Sequence, residues 1–151
     1  MSTLALSRAV LVAAVGVLQK ERVVINIAQP DGSKQQYEVF MCELTARDKT
    51  EYEMAMMDDP HRPWDTLDKE EQDARLEIRS QEIRERTVIA CARDAEGNRL
   101  FTYDDIDFVG GMGNSIVEPM VLAAKRVNAG ADKSLETLGK NSEATIANVS
   151  V

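Results

Sequence analysis

Val23-Val24-Ile25-Asn26-Ile27, then Pro30-Asp31-Gly32-Ser33, then Gln36-Tyr37-Glu38-Val39-Phe40-Met41 is the stretch on which the fold turns. The first run is β-branched, the second is turn chemistry, and the third alternates polar with apolar residues, so together they predict a β-hairpin. Upstream, from Thr3 to Lys20, Leu6, Val10, Ala13 and Val17 recur at helical spacing, while Leu4, Leu11, Val15 and Leu18 trace a second stripe. A helix that is apolar on two faces is expected to be buried on two sides. One side would be the domain; the other would be a sister subunit or the chain's own core.

Downstream of the hairpin the period changes to that of helices. Thr45 and Asp48 have capping-box spacing, with Leu44, Tyr52 and Met56 as the apolar face of a helix ending near Asp58-Asp59-Pro60. His61-Arg62-Pro63-Trp64 reads as a loop. A long helix is expected from Thr66, as its cap, to Ala92, with i to i+4 ion pairs Glu71 to Arg75 and Glu82 to Arg86. Its last stretch, Val88-Ile89-Ala90-Cys91-Ala92, is apolar all round and must enter the core. Asp94 to Arg99 reverses the chain, and Thr102 with Asp105 caps a short helix containing Ile106, Phe108 and Val109. Gly110-Gly111-Met112-Gly113 breaks it. Ser115, with Glu118 three residues on and Pro119 in the first turn, is expected to cap a last helix whose stripe is Ile116, Met120, Ala123 or Ala124, and Val127, ending at Gly130. The expected class is therefore α+β and mainly helical: an N-terminal helix, one β-hairpin, four helices and a flexible C-terminal tail. Residues 1–130 form one domain and 131–151, where Leu135 and Leu138 stand isolated, the tail.

Composition narrows the chemistry. The chain has 151 residues, 44% of them apolar, and 18 basic against 26 acidic side chains, for a net charge of -8. Residues 1–57 carry 6 basic and 7 acidic groups, 58–107 carry 8 and 15, and 108–151 carry 4 and 4, so the negative surplus sits in the middle block. No basic stripe is present to neutralise phosphates, which argues against nucleic-acid binding. Cys42 and Cys91 lie far apart and His61 is the sole imidazole, which excludes zinc-finger spacing and a histidine metal cluster. This cysteine usage fits a reducing cytoplasm. The apolar run Ala9 to Leu18 is too short to span a bilayer and lacks a small-x-small cleavage site, so it reads as a buried helix rather than a secretory signal or membrane anchor.

Each residue pattern that could carry chemistry has a plainer reading. The glycine cluster at 110–113 lacks the Gly-Lys-Ser/Thr of a phosphate loop and is a helix-helix turn. Asp94 to Asp105 has Arg99 where a calcium loop needs glycine. His61 has no paired nucleophile, and Asp104 and Asp105 suit the start of a helix. No catalytic, cofactor or metal residues are therefore assigned. Tyr52, Met54, Met56 and Met57 are core residues or a soft partner-binding surface.

The order of these pieces resembles the tail assembly chaperones of long-tailed bacteriophages. The resemblance runs through Arg8-Ala9-Val10-Leu11-Val12-Ala13-Ala14, Glu43-Leu44-Thr45-Ala46-Arg47-Asp48, Glu51-Tyr52-Glu53, Arg86-Thr87-Val88-Ile89-Ala90 and Ala123-Ala124-Lys125-Arg126-Val127-Asn128. Its most specific blocks are Asp94-Ala95-Glu96-Gly97-Asn98-Arg99-Leu100-Phe101 and Leu138-Gly139-Lys140-Asn141-Ser142-Glu143. It implies a non-enzymatic protein of the host cytoplasm, absent from the mature virion. Such a protein coats and solubilises the tape measure protein and recruits tail tube protein. It also implies a homo-oligomer and a longer form made by ribosomal frameshifting, with Gly139-Lys140 as the slip site and Ala144 to Val151 in the short form only. The surfaces suited to such clients are Val10 and Val17 in the first helix and Tyr52, Met56 and Met57 in the next. The run Val10 to Val17 is more continuously apolar than the family pattern. The alternative class is a small structural virion protein, such as a head-tail connector or tail completion component, which would remain in purified particles.

Overall fold

The computed structural model describes residues 3–14 and 17–129, so the expected tail 131–151, the stop at Gly130 and the slip site at Gly139-Lys140 lie outside the described residues. The hairpin is present and longer than its sequence signal. β1 (Lys20–Ala28) pairs antiparallel with β2 (Lys34–Cys42), in a register that sets Val23 opposite Val39 and Ile25 opposite Tyr37. Gly32 takes φ +86 at the turn, a left-handed conformation that glycine adopts without a Cβ clash. Asp31 beside it accepts the Ser33 amide and hydroxyl. Alternation then does its work: Val23, Ile25, Val39 and Met41 are buried on one face of the sheet.

α2 (Ala46–Met57) begins at the expected capping box, in which Thr45 and Asp48 satisfy each other's amides, and ends at Asp58. The expected helix from Thr66 to Ala92 is instead two, α3 (Lys69–Gln81) and α4 (Ile83–Cys91). Asp68 rather than Thr66 caps α3, in a box with Glu71, and Thr66 ends a short 3-10 turn. Near the break, the Ser80 hydroxyl bonds the Leu76 carbonyl at 2.7 Å, a local competition that bends helices. The Glu82 amide reaches only the carbonyls of Arg79 and Ser80, and its backbone leaves the helical region. The break lets α3 pack on α2 while α4 turns inward.

That inward turn completes the core. Val88, Ile89, Ala90, Cys91 and Ala92 are all at most 2% exposed, as an all-apolar run requires. The chain leaves α4 as a two-residue strand, β3 (Ala92–Arg93), which pairs with Phe40 and Met41 and gives the sheet order β1-β2-β3. Two residues are too few to show a period, so this strand is absent from the sequence signal. The Asp94 to Arg99 reversal follows, with Asp94 accepting the amides of Glu96 and Asn98 and Gly97 at φ +87. Thr102 and Asp105 form their capping box before α5 (Ile106–Gly110). The glycine cluster is a helix-helix turn into α6 (114–129). Helical bonds to the Gly113 carbonyl start α6 one residue before the expected Ser115 cap. Its buried face is Val117, Met120, Val121, Ala123 and Ala124, with Ile116 at the margin.

The N-terminal helix departs most from expectation. α1 (Arg8–Ala14) has seven residues, none of them buried, in place of a helix from Thr3 to Lys20 buried on two sides. The described core is built from the sheet with α4, α5 and α6, and no residue of α1 joins it.

Candidate functional site

Among the described residues, two apolar features outside the core take up three of the five partner-binding residues expected from the sequence. The first is the N-terminal segment, where Leu4, Leu6, Val10, Leu11, Val12 and Val17 are each more than half exposed, with Val10 at 56% and Val17 at 75%. Scattered exposed apolar residues are ordinary, but a run of them marks an interaction surface.

The second is a groove of about 370 Å³ between the start of α2, the middle of α4 and the end of α6. Leu44, Tyr52, Ile83, Ala90 and Ala124 supply apolar walls, and Lys49 and Lys125 stand at its polar margin. One side chain holds the walls together. Asn128 of α6 accepts the Leu44 amide at 3.0 Å and donates to the Ala124 carbonyl at 2.9 Å, with its amide 3.7 Å from Cys91 Sγ. The Lys49 ammonium lies 5.4 Å from the centre of the Tyr52 ring.

Buried charge fixes α2 over this groove. Arg86, 1% exposed, pairs with Glu82 at 2.9 Å at the start of its own helix, as the spacing predicts, and donates to the Ala55 carbonyl at 2.9 Å, which ties α4 to α2. The other expected pair is replaced: Glu71 is taken up by the Asp68 cap and by Arg62 at 2.6 Å, and Arg75 donates to the carbonyls of Met57 and Arg62. At the other end of α2, Arg99 bonds Asp48 and Glu51, each at 2.7 Å, and Arg93 lies 3.7 Å from Asp48. Burial raises the Asp48 carboxyl, but the Arg99 and Thr45 hydrogen bonds outweigh it and hold the carboxyl below its ordinary value.

The groove's lining includes the buried thiol of Cys91. Burial pushes the Cys91 thiol up to about 11, the reverse of an activated nucleophile. His61 is exposed in its loop. Among the described residues no group of histidine, cysteine and acidic side chains is arranged to hold a metal, and no helix is long and apolar enough to cross a membrane.

Of the expected partner-binding residues, Tyr52 lines the groove, while Val10 and Val17 are not among its walls. Met56 and Met57 are half-buried on the last turn of α2, outside the groove walls, and Met54 is the exposed methionine of that helix. The structure thus does not gather the five into one surface. Sequence reasoning missed Ile83 and Asn128 as groove residues. Asn128 had no local signal, because its partner Leu44 is 84 positions away.

No family model and no curated protein matches the chain. Among solved structures it is similar to a tail assembly chaperone of bacteriophage HK97, with a TM-score of 0.41 and 12% identity, covering 81% of this chain and 100% of that one. At that identity no residue role is carried across.

Proposed function

We propose that this chain is a non-enzymatic tail assembly chaperone of a long-tailed phage. It binds and solubilises the tape measure protein and helps recruit tail tube protein. It acts in the host cytoplasm and leaves before the virion matures. The support is the order of sequence blocks from Arg8 to Glu143, and the observation that carries it is the unburied apolar N-terminal segment. An amphipathic helical client offers apolar side chains at helical spacing, which such a segment or an apolar groove can cover.

The experiment is co-expression with the tape measure protein encoded nearby, read as soluble client and as client pulled down. The wild-type chain should keep the client soluble, and the double variant Val10→Asp with Val17→Asp, folded by circular dichroism, should lose at least tenfold of the captured client. Unchanged capture by that variant would remove the N-terminal segment from the reading, and an insoluble client with wild-type chain would sink the reading itself. The longer form is checked in the gene: a slippery heptamer at the Gly139-Lys140 codons with an overlapping minus-one frame is expected.

A further inference from the structure

The sheet order β1-β2-β3 leaves the outer edge of β1 without a strand among the described residues. Exposed edges in natural sheets are usually blunted by inward charges, proline, bulges or a very short strand. This one is nine residues long; the charged Lys20, Glu21 and Arg22 guard its first end, but Val23 to Ala28 contains no charge, proline or glycine. Beside it runs an open trough of about 700 Å³. One wall is the four consecutive β1 residues Glu21, Arg22, Val23 and Val24; the other is α6, through Asn114, Ser115, Glu118, Pro119, Leu122 and Arg126, whose guanidinium pairs with Glu21 at 2.7 Å at the charged end of the edge. Neighbouring strand residues point to opposite faces, so four in succession line one space only when that space lies along the strand's edge.

We propose that this edge binds the β1 edge of a second copy of the chain, antiparallel, about a two-fold axis through Val24. The charge pattern selects this occupant and this direction. Lys20, Glu21 and Arg22 crowd the first end of β1, and Asn26, Ile27 and Ala28 make the other end neutral. Antiparallel pairing about Val24 sets Arg22 against Asn26, Glu21 against Ile27 and Lys20 against Ala28, whereas parallel in-register pairing would set each charge beside its own kind. The same register puts Val23, at 7% exposure, beside Ile25 of the second copy on the core side, so the two buried faces become continuous. An axis through Arg22 would bring the two guanidinium groups together. Both α6 helices lie on the core side, and Leu122, at 43% exposure, is the apolar residue that this arrangement covers. The contact is isologous and closes as a dimer, with six strands in one sheet.

The test uses the full chain alone, so its outcome is independent of the tail-assembly reading. Sedimentation of the wild type at about 50 μM should give a dimer or an even-numbered assembly of dimers. Val24→Lys, on the solvent face and 40% exposed, should keep the wild-type circular dichroism and raise the dimer dissociation constant at least tenfold, because the two lysines meet on the axis. Val24→Cys under mild oxidation should give a cross-linked dimer on a non-reducing gel. A wild type that stays monomeric overturns the proposal. So does an assembly that Val24→Lys leaves intact, which would place the contact elsewhere, for instance on α1. A monomeric wild type whose client capture falls with Val24→Lys also overturns it, assigning the edge to an extended client segment.

Discussion

Two runs in this chain, Val10 to Ala14 and Val88 to Ala92, are built from the same kinds of residue and are both largely helical, yet their surroundings are opposite. The second is at most 2% exposed throughout, whereas in the first Val10, Leu11 and Val12 are each more than half exposed. Composition is therefore not what buries a helix. Val88 to Ala92 is delivered to the sheet by the helix break at Glu82 and held by Arg86 and by the two-residue strand that follows. Val10 to Ala14 precedes the hairpin and contributes no residue to the core. What remains exposed is then available to a partner, and this is the property the proposed function uses.

Truncation inside the two runs should separate them most. Ile89→Ala removes a side chain from a site with 0% exposure and is expected to cost about 4 kcal/mol in urea unfolding, since a filled core cannot collapse around the gap. A cost under about 1 kcal/mol would mean that α4 is not the centre of the core.

A smaller effect is expected where α2 is pinned over that core. Asp48→Asn weakens the bonds from Arg99 and the capping of α2, at about 1 kcal/mol near neutral pH. Its carboxyl is held below the ordinary 3.8, so its contribution is complete above that value and fades as pH falls through the lower, folded value. Wild type and variant should accordingly converge in stability as pH drops from 7 toward 3; a gap that stays constant would refute the ion-pair assignment.

The smallest effect belongs to the exposed run. Val12→Ala, at a residue 58% exposed, should shift stability by less than about 0.5 kcal/mol. A loss above about 1 kcal/mol would show this segment packed in solution, as Val88 to Ala92 is.

Much of this architecture was legible from local pattern. The hairpin, the capping boxes at Thr45 and Thr102, the reversal at Asp94 to Arg99 and the inward turn of Val88 to Ala92 each depend on residues within a few positions of one another. The helix break at Glu82 escaped because neither proline nor glycine marks it, and the shift of the cap to Asp68 because Thr66 and Asp68 offer the same chemistry two residues apart. Of the candidate site, Tyr52 was legible as an apolar helix position, but the walls contributed by Ile83 and Asn128 were not.

The sequence by itself determined that the class is α+β and mainly helical, that Val23 to Met41 folds as a hairpin, and that Val88 to Ala92 enters the core. Those choices follow from backbone preference, side-chain period and the cost of exposing an apolar helix end. Only the tertiary structure decided that α1 stays outside, that β1 keeps a bare edge beside α6, and that Arg86 is spent inside the molecule. Such outcomes depend on which surfaces are left once the best-fitting elements have covered one another, and no window along the chain holds that information.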